Sequence, residues 1–199
     1  MITRKEMTRM LLKEGLLSWL ANNSFESVTV TSLCKASGIT RSTFYLHYSN
    51  IMEIVDDLVD DAIAYSKPGM VDNNNLQTIA KTLSAASDSV SLREAYDSIF
   101  DRLPLCQRII RHKKYLPLFL DEQISEYVLQ RIIGREKDRQ GLVVAEALGV
   151  SFDVGVSVFV FLVHGLYAVN KQYKWSQSDE WLEAQKIIFE LVYRGLQRR

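Results

Sequence analysis

Thr40, Arg41, Ser42 and Thr43 carry the most specific chemistry in this chain, because they are consecutive and open a short predicted helix. A helix N-terminus attracts phosphate, since its first amides are unsatisfied and its dipole is positive there. An arginine can donate a fork of hydrogen bonds to guanine, and hydroxyl groups can reach phosphates or base edges. This combination is typical of a helix that reads a nucleic-acid groove.

Neighbouring side chains extend the same surface. Tyr45 and His47 project from adjacent turns and suit contacts with phosphates, whereas Phe44 and Tyr48 are four residues apart and are expected in the core. With the hydroxyls at the start of the preceding helix, the predicted nucleic-acid contacts are Thr29, Thr31, Thr40, Arg41, Ser42, Thr43, Tyr45 and His47.

Two short helices joined by a glycine turn must position these residues. Thr29 can cap the first helix by accepting a hydrogen bond from a free amide. Gly38 can end that helix in the left-handed conformation, which a side chain would disfavour. Thr40 then caps the second helix, which is predicted to run from Arg41 to about Tyr48.

More helices are predicted on both sides of this pair. The first opens with the capping box Thr3-x-x-Glu6, and another begins near Asn50-x-x-Glu53 with its carboxylates mostly on the outer face. A polar break at residues 67–75 is the best candidate for a domain boundary. Beyond it, helices are expected at about 76–86, from Ser91, around 109 and 110, and at 118–137, 151–174 and 178–197.

The expected fold class is therefore all-α. A three-helix, helix-turn-helix domain is predicted at residues 1–50, with a connecting fourth helix at 51–66. Residues 67–199 are predicted to form a separate helical bundle.

The net charge of zero hides an uneven distribution. Residues 1–50 contain six basic and three acidic side chains, a net charge of +3, whereas residues 51–62 carry five carboxylates and no basic residue. A mildly basic N-terminal region beside an acidic helix is compatible with DNA binding, although charge alone does not establish it.

The composition argues against several other classes of protein. With 47% hydrophobic and 24% charged residues, the chain is typical of a globular protein. Cys34 and Cys106 are too few and too far apart for a disulfide scaffold or a zinc site, and a reducing cytoplasm is the expected location. The apolar stretch at residues 154–169 is short for a membrane span and better fits a helix buried in a core or a subunit interface.

Catalytic motifs are also missing from the sequence. It contains no glycine-rich phosphate loop, paired histidine–carboxylate motif or nucleophile elbow. The three histidines, His47, His112 and His164, have no acidic partner at helical spacing. No enzymatic activity, cofactor or metal is expected.

A set of positions within residues 3–66 matches a known pattern. They are Thr29-Val30, Leu33-Cys34, Ala36-Ser37-Gly38-Ile39, Thr43-Phe44-Tyr45 and Tyr48, followed by Glu53-Ile54. This region resembles the N-terminal domain of the TetR family of transcriptional regulators. The resemblance implies a regulator, more often a repressor, that binds a palindromic operator in double-stranded DNA.

One position departs from that family pattern. Members commonly have a lysine where Ile51 stands, and its amine meets a DNA phosphate together with the helix N-terminus. Isoleucine removes one ionic contact, which lowers the salt dependence of affinity by roughly one unit of log–log slope. The amides at the helix start are expected to keep binding phosphate.

In the same family the C-terminal domain dimerises through its last two helices and often binds a small effector. A homodimer through the helices near 151–174 and 178–197 is therefore expected, and their apolar residues suit it: Phe152, Val156, Phe159, Val160, Val163, Tyr167, Trp181, Leu182, Ile188, Leu191 and Val192. An effector pocket is expected to draw on Phe100, His112, Tyr115, Phe119, Tyr127, Phe159 and His164, for which plain core packing is the alternative.

Two other interpretations stay open. Residues 98–127 and 161–167 loosely resemble the C-terminal domains of a TetR subgroup that includes dihydroxyacetone-kinase activators, which allows control by a protein partner instead of a small ligand. A helical adaptor that does not bind DNA is the third interpretation. A gel shift with purified protein distinguishes the adaptor from the regulator.

Overall fold

A computed structural model describes residues 3–66, 75–103, 107–108 and 113–196. Within these residues all regular structure is helical and no strand occurs, which confirms the all-α fold class. The predicted helix around residues 109 and 110, together with Cys106 and His112, lies outside the described residues.

The helices are numbered here along the chain, and two 3-10 turns at Phe25–Ser27 and Phe100–Arg102 lie between them. They are α1 (Arg4–Leu20), α2 (Val30–Ser37), α3 (Arg41–Tyr45), α4 (Ile51–Ser66), α5 (Asn75–Ser84), α6 (Ser89–Ser98), α7 (Leu116–Leu120), α8 (Ser125–Leu148), α9 (Phe152–Gln172) and α10 (Asp179–Leu196).

Local capping starts the first helices at the predicted residues. Thr3 Oγ1 accepts from the Glu6 amide at 3.2 Å, and the Glu6 carboxylate accepts from the Thr3 amide at 2.7 Å, so the predicted capping box is confirmed. Thr29 caps α2, and Thr40 caps α3. Each cap satisfies an amide that the helix itself leaves unpaired.

Three predicted helix boundaries were wrong. The single helix expected at 118–137 is two, α7 and α8, because the Asp121 carboxylate accepts from the amides of Gln123 and Ile124 and interrupts the chain between them. Helix α6 begins before Ser91, since Asp88 is its N-cap and Ser91 completes that capping box. Helix α3 ends at Tyr45, three residues earlier than predicted.

The chain forms two compact units, and their contents differ from a simple split at residue 67. The first unit comprises the described residues within Met1–Tyr65 and His112–Ile132, and the second those within Ser66–Arg111 and Ile133–Arg199. Helix α7 and the first two turns of α8 therefore pack with the N-terminal helices.

The first unit has a core made by α1 to α4 with α7 and the start of α8. Its fully buried side chains include Leu12, Leu16, Leu33, Phe44, Ile54, Leu58, Leu118 and Val128. Burying each such side chain contributes about 1.5–3 kcal/mol before chain entropy is subtracted. Polar contacts add to this packing, since the Phe25 amide donates to Asp121 at 2.7 Å and Lys114 pairs with Glu14.

In the second unit α8 and α9 cross at very short distance. A Cβ atom added at Gly155 would lie 2.7 Å from the backbone nitrogen of Ala145, and one added at Gly141 would lie 3.0 Å from Val156 Cα. The crossing therefore requires glycine at both positions. Helix α10 packs against α5 and α6 in the same unit.

Helix α9 has few fully buried residues within the chain, and many of its apolar residues are half-buried. Among the described residues it is the one helix long and apolar enough to cross a membrane by length and composition, and 17% of that apolar window is buried. The sequence-based expectation of a helix buried on most faces is met only in part within one copy of the chain, because the remaining apolar residues are half-buried or exposed.

Candidate nucleic-acid interface

Helix α2 and the turn that follows it are held by hydrogen bonds within their own segment. Thr29 Oγ1 accepts from the Ser32 amide at 3.0 Å, and Ser32 Oγ accepts from the Thr29 amide at 2.9 Å. At the other end Gly38 has a φ of 66°, and the Ile39 amide donates to the Cys34 carbonyl at 2.9 Å. These contacts set the direction in which α3 leaves the turn.

Three hydroxyl groups cluster at the start of α3. Thr40 Oγ1 accepts from the Thr43 amide at 3.2 Å and lies 2.9 Å from Ser42 Oγ and 2.8 Å from Thr43 Oγ1. The Arg41 side chain lies next to this cluster in sequence and is exposed. The helix start thus combines hydroxyls in a fixed arrangement with one long cationic side chain.

Two aromatic side chains anchor α3 in the core of the first unit. Phe44 is fully buried and Tyr48 is 3% exposed, with their ring centroids 6.2 Å apart. Tyr45 is exposed and meets the Phe44 ring edge-on at 5.2 Å. The anchors fix which face of α3 is turned outward, and they lie in the core as their spacing predicts.

The eight predicted nucleic-acid contacts lie on α2, α3 and the residues that flank them. Thr43 and His47 are half-buried, and His47 Nδ1 is buried without a hydrogen-bond partner among the described residues. The other six side chains are exposed: Thr29, Thr31, Thr40, Arg41, Ser42 and Tyr45. The hydroxyls of Thr29 and Thr40 already accept hydrogen bonds from helix amides, so a contact with a ligand would be additional to this capping role.

Sequence reasoning missed two residues of this surface. Leu46 is 79% exposed at the C-terminal end of α3, and Lys35 is exposed in the last turn of α2. The helical period could have identified Leu46, because it falls on the side opposite the buried pair Phe44 and Tyr48. An exposed leucine beside Tyr45 offers an apolar contact for a thymine methyl or a sugar.

The start of α4 is already partly occupied by the chain's own carboxylate. Glu53 accepts from the Ser49 amide at 2.8 Å, and the Glu53 amide donates to Asn50 at 3.1 Å. A phosphate would therefore have to meet the amides of Ile51 and Met52 with a carboxylate close by. The expected loss of the lysine contact is compounded by this negative charge.

Ion pairs within the chain neutralise part of the positive charge of the N-terminal region. Arg9 donates to Asp57 through Nε at 3.0 Å and through Nη2, and Lys13 pairs with Asp61. The hydrogen bond to Asp57 raises the pKa of Arg9 above its ordinary value. The acidic side chains of α4 are thus not the solvated outer face that the sequence pattern predicts, because several hold neighbouring helices.

The predicted effector-pocket residues are divided between the two units. Tyr115, Phe119 and Tyr127 belong to the first unit, where Tyr115 and Phe119 are buried and the Tyr127 hydroxyl donates to Asp56 at 2.7 Å. Three others belong to the second unit and are half-buried, namely Phe100, Phe159 and His164, whereas His112 lies outside the described residues.

A buried amide cluster in the second unit was also missed from the sequence. The Tyr96 hydroxyl donates to Gln107 Oε1 at 3.1 Å, and Gln107 Nε2 donates to Gln185 Oε1 at 2.8 Å. Trp181 Nε1 donates to Asn170 Oδ1 at 2.9 Å, and its ring lies edge-on to that of Tyr96 at 5.2 Å. Such long-range pairing between helices leaves no local signal in the sequence.

This amide cluster (Tyr96, Gln107, Asn170, Trp181 and Gln185) has hydrogen-bond donors left over. Both side-chain nitrogens, Gln185 Nε2 and Asn170 Nδ2, lack a hydrogen-bond partner among the described residues, and both residues are fully buried. A buried amide without a partner is costly. Each of these two amide nitrogens is therefore able to donate a hydrogen bond to an acceptor atom.

Comparison with known proteins adds no relative: no protein-family model matches this chain, and no curated protein gives a significant match.

Proposed function

We propose that this protein is a sequence-specific DNA-binding transcriptional regulator of the TetR type, acting as a homodimeric repressor on a palindromic operator. The observation that carries the proposal is the α2–turn–α3 segment, in which local caps and two buried aromatics present an exposed arginine beside three hydroxyls. In this proposal α3 is the reading helix and enters the major groove.

The chemistry of the segment supports division of its contacts into two kinds. Arg41, with its exposed guanidinium, suits a guanine edge, and Leu46 suits a thymine methyl. Tyr45 and Lys35 suit phosphates, which fix register without reading sequence. One helix of five residues touches few base pairs, so useful specificity requires a second copy of the reading helix.

The surface of α9 and α10 supports dimerisation. Five exposed residues of α9 follow helical spacing, form one stripe and are apolar or small: Val154, Ser157, Phe161, Gly165 and Ala168. On α10, Ile187 and Leu191 continue the exposed apolar surface. Large exposed apolar patches mark interaction sites, and small residues let a partner helix approach closely.

The residues that carry this surface differ in part from the predicted set. Tyr167, Trp181 and Leu182 are buried inside the second unit, and so cannot serve an interface between copies. Phe161 and Ile187, which the sequence pattern did not single out, are exposed instead. Periodicity identifies the apolar residues of a helix, whereas only the tertiary packing decides which of them remain uncovered.

A gel shift over a range of salt concentrations tests the proposal. Saturable binding to selected duplex DNA that weakens with salt, and that exceeds binding to a scrambled duplex, is the expected result. Absence of any shift at low salt would favour the helical adaptor.

Release of the protein into a cytoplasmic extract without detergent is the expected behaviour, whereas co-sedimentation with membranes would contradict it.

The amide cluster supports the effector part of the proposal. Its leftover donors suit a small molecule with carbonyl, carboxylate or hydroxyl oxygens, held in the second unit. Thermal unfolding against a panel of small carboxylates, sugars and amides is the test. A compound that raises the midpoint for the wild type should fail with Gln185→Leu and still act on Gln172→Leu, an exposed control on α9.

A further inference from the structure

Two adjacent carboxylates on α4, Asp56 and Asp57, bind different neighbours. Asp57 accepts from the Tyr48 hydroxyl at 2.6 Å and from Arg9 Nε at 3.0 Å. Asp56 accepts from the Tyr127 hydroxyl at 2.7 Å and pairs with Arg131 Nε at 2.7 Å. Consecutive helix residues project about 100° apart, so the pair holds structures on two sides of α4.

The contacts of Asp57 fix the end of the reading helix. Tyr48 follows α3 by three residues and is almost fully buried, and the Arg9 guanidinium lies 5.0 Å from the centroid of its ring. Burial and the hydrogen bond to Asp57 raise the pKa of the Tyr48 hydroxyl well above its ordinary value, so it remains a donor. Tyr48 is thus tied to α1 and α4 together.

The contacts of Asp56 fix α4 itself. Tyr127 and Arg131 are four residues apart and lie on one face of α8, so both reach the same carboxylate. Their side chains and that of Asp56 are partly buried, where a charge-assisted hydrogen bond is screened less than at the surface.

We propose that Asp56 and Asp57 are positioning residues for the reading helix: Asp57 holds it through Tyr48, and Asp56 holds α4, and thereby Asp57, against α8. The inference rests on the proposed function for its DNA readout. Its physical basis is that a five-residue helix is too short to maintain its own orientation, so anchors on neighbouring helices must do so. DNA affinity then depends on contacts that never touch DNA.

The test uses substitutions on the far side of α4 from the reading helix. Tyr127→Phe keeps the ring and removes the hydroxyl, and Arg131→Gln removes the charge. Each should weaken binding of the protein to its selected duplex by roughly 2- to 10-fold, the usual value of one hydrogen bond. Asp138→Asn, an exposed carboxylate further along α8, is the control and should leave affinity unchanged.

A double-mutant cycle separates positioning from general destabilisation. Tyr127→Phe and Tyr48→Phe remove hydroxyls bound to different carboxylates, so independent effects on the dissociation constant should multiply to within about twofold. Positioning through the Asp56–Asp57 pair predicts a double variant clearly weaker or stronger than that product. Multiplicative effects that follow the melting temperature would overturn the proposal.

Amide hydrogen exchange gives a readout that does not need DNA. The amides of Phe44, His47 and Tyr48 should exchange faster in Tyr127→Phe than in the wild type, while those of α10 stay unchanged. Unaltered exchange at these three amides would overturn the positioning role even if DNA binding is established. If the wild type binds no DNA but exchange accelerates as expected, the proposed function fails and the positioning of α3 stands.

Discussion

Replacement of Phe161 by serine should weaken the proposed homodimer strongly. Phe161 lies on the exposed stripe of α9 and is 74% exposed within one copy. Complete burial of a phenylalanine side chain contributes about 1.5–3 kcal/mol. About three quarters of that is still available, and a twofold interface uses it twice, so the dimer should lose about 2–4 kcal/mol, or roughly 30- to 1,000-fold in dissociation constant.

Sedimentation equilibrium over a dilution series measures this change. Val90→Ser is the matched control, because Val90 is also a largely exposed apolar residue of the second unit but lies on α6. Its dimer constant should equal that of the wild type, and both variants should keep the far-ultraviolet circular dichroism of the wild type. A Phe161→Ser dimer as tight as the wild-type dimer, or a monomeric wild type, would refute the assignment of the α9 stripe.

Other expectations concern base reading, packing and capping. Arg41→Ala should cost about 1–3 kcal/mol in operator binding and relax the sequence preference at one or two base pairs. Arg41→Lys should lose that preference but keep the dependence of affinity on salt concentration. Anisotropy titrations measure both effects, and unchanged specificity in both variants would contradict base reading. Gly155→Ala should destabilise the protein by about 1–3 kcal/mol in urea unfolding because of its 2.7 Å approach to Ala145, while Gly134→Ala on α8 has open space and should be neutral or stabilising. The hydrogen bond from the Ser91 amide lowers the pKa of Asp88 below its ordinary value. The ionised Asp88 therefore stabilises the folded protein at pH values above the ordinary pKa, and this stabilisation is lost as the pH falls through the lower pKa of the folded state. Asp88→Asn should therefore flatten the acid limb of the unfolding free energy, and an unaltered pH profile would exclude this linkage.

Hydrogen bonds between residues close in sequence made several helix ends predictable from the sequence. The cap at Thr3, the cap at Thr29 and the left-handed Gly38 each depend on residues within four positions along the chain, so spacing alone predicts them. The exposure of Arg41 and the burial of Phe44 follow from the same helical period.

Contacts between distant segments were not predictable in this way. The break at Asp121 depends on its carboxylate taking two amides of the next turn and the Phe25 amide, 96 residues earlier. The charge pattern of α4 predicted that its carboxylates lie mostly on the outer face, but Asp56 and Asp57 bind side chains of other helices. Whether a carboxylate on an amphipathic helix faces solvent or a neighbouring helix depends on tertiary packing, which sequence periodicity does not encode.

Random-site selection with the purified protein is the decisive experiment for sequence-specific DNA recognition. Recognition by a twofold dimer predicts enrichment of one palindromic sequence whose two half-sites match the symmetry of the dimer, with binding to it far tighter than to a scrambled duplex at the same salt concentration. No enrichment over the starting pool, or equal affinity for the enriched and scrambled duplexes, would contradict it.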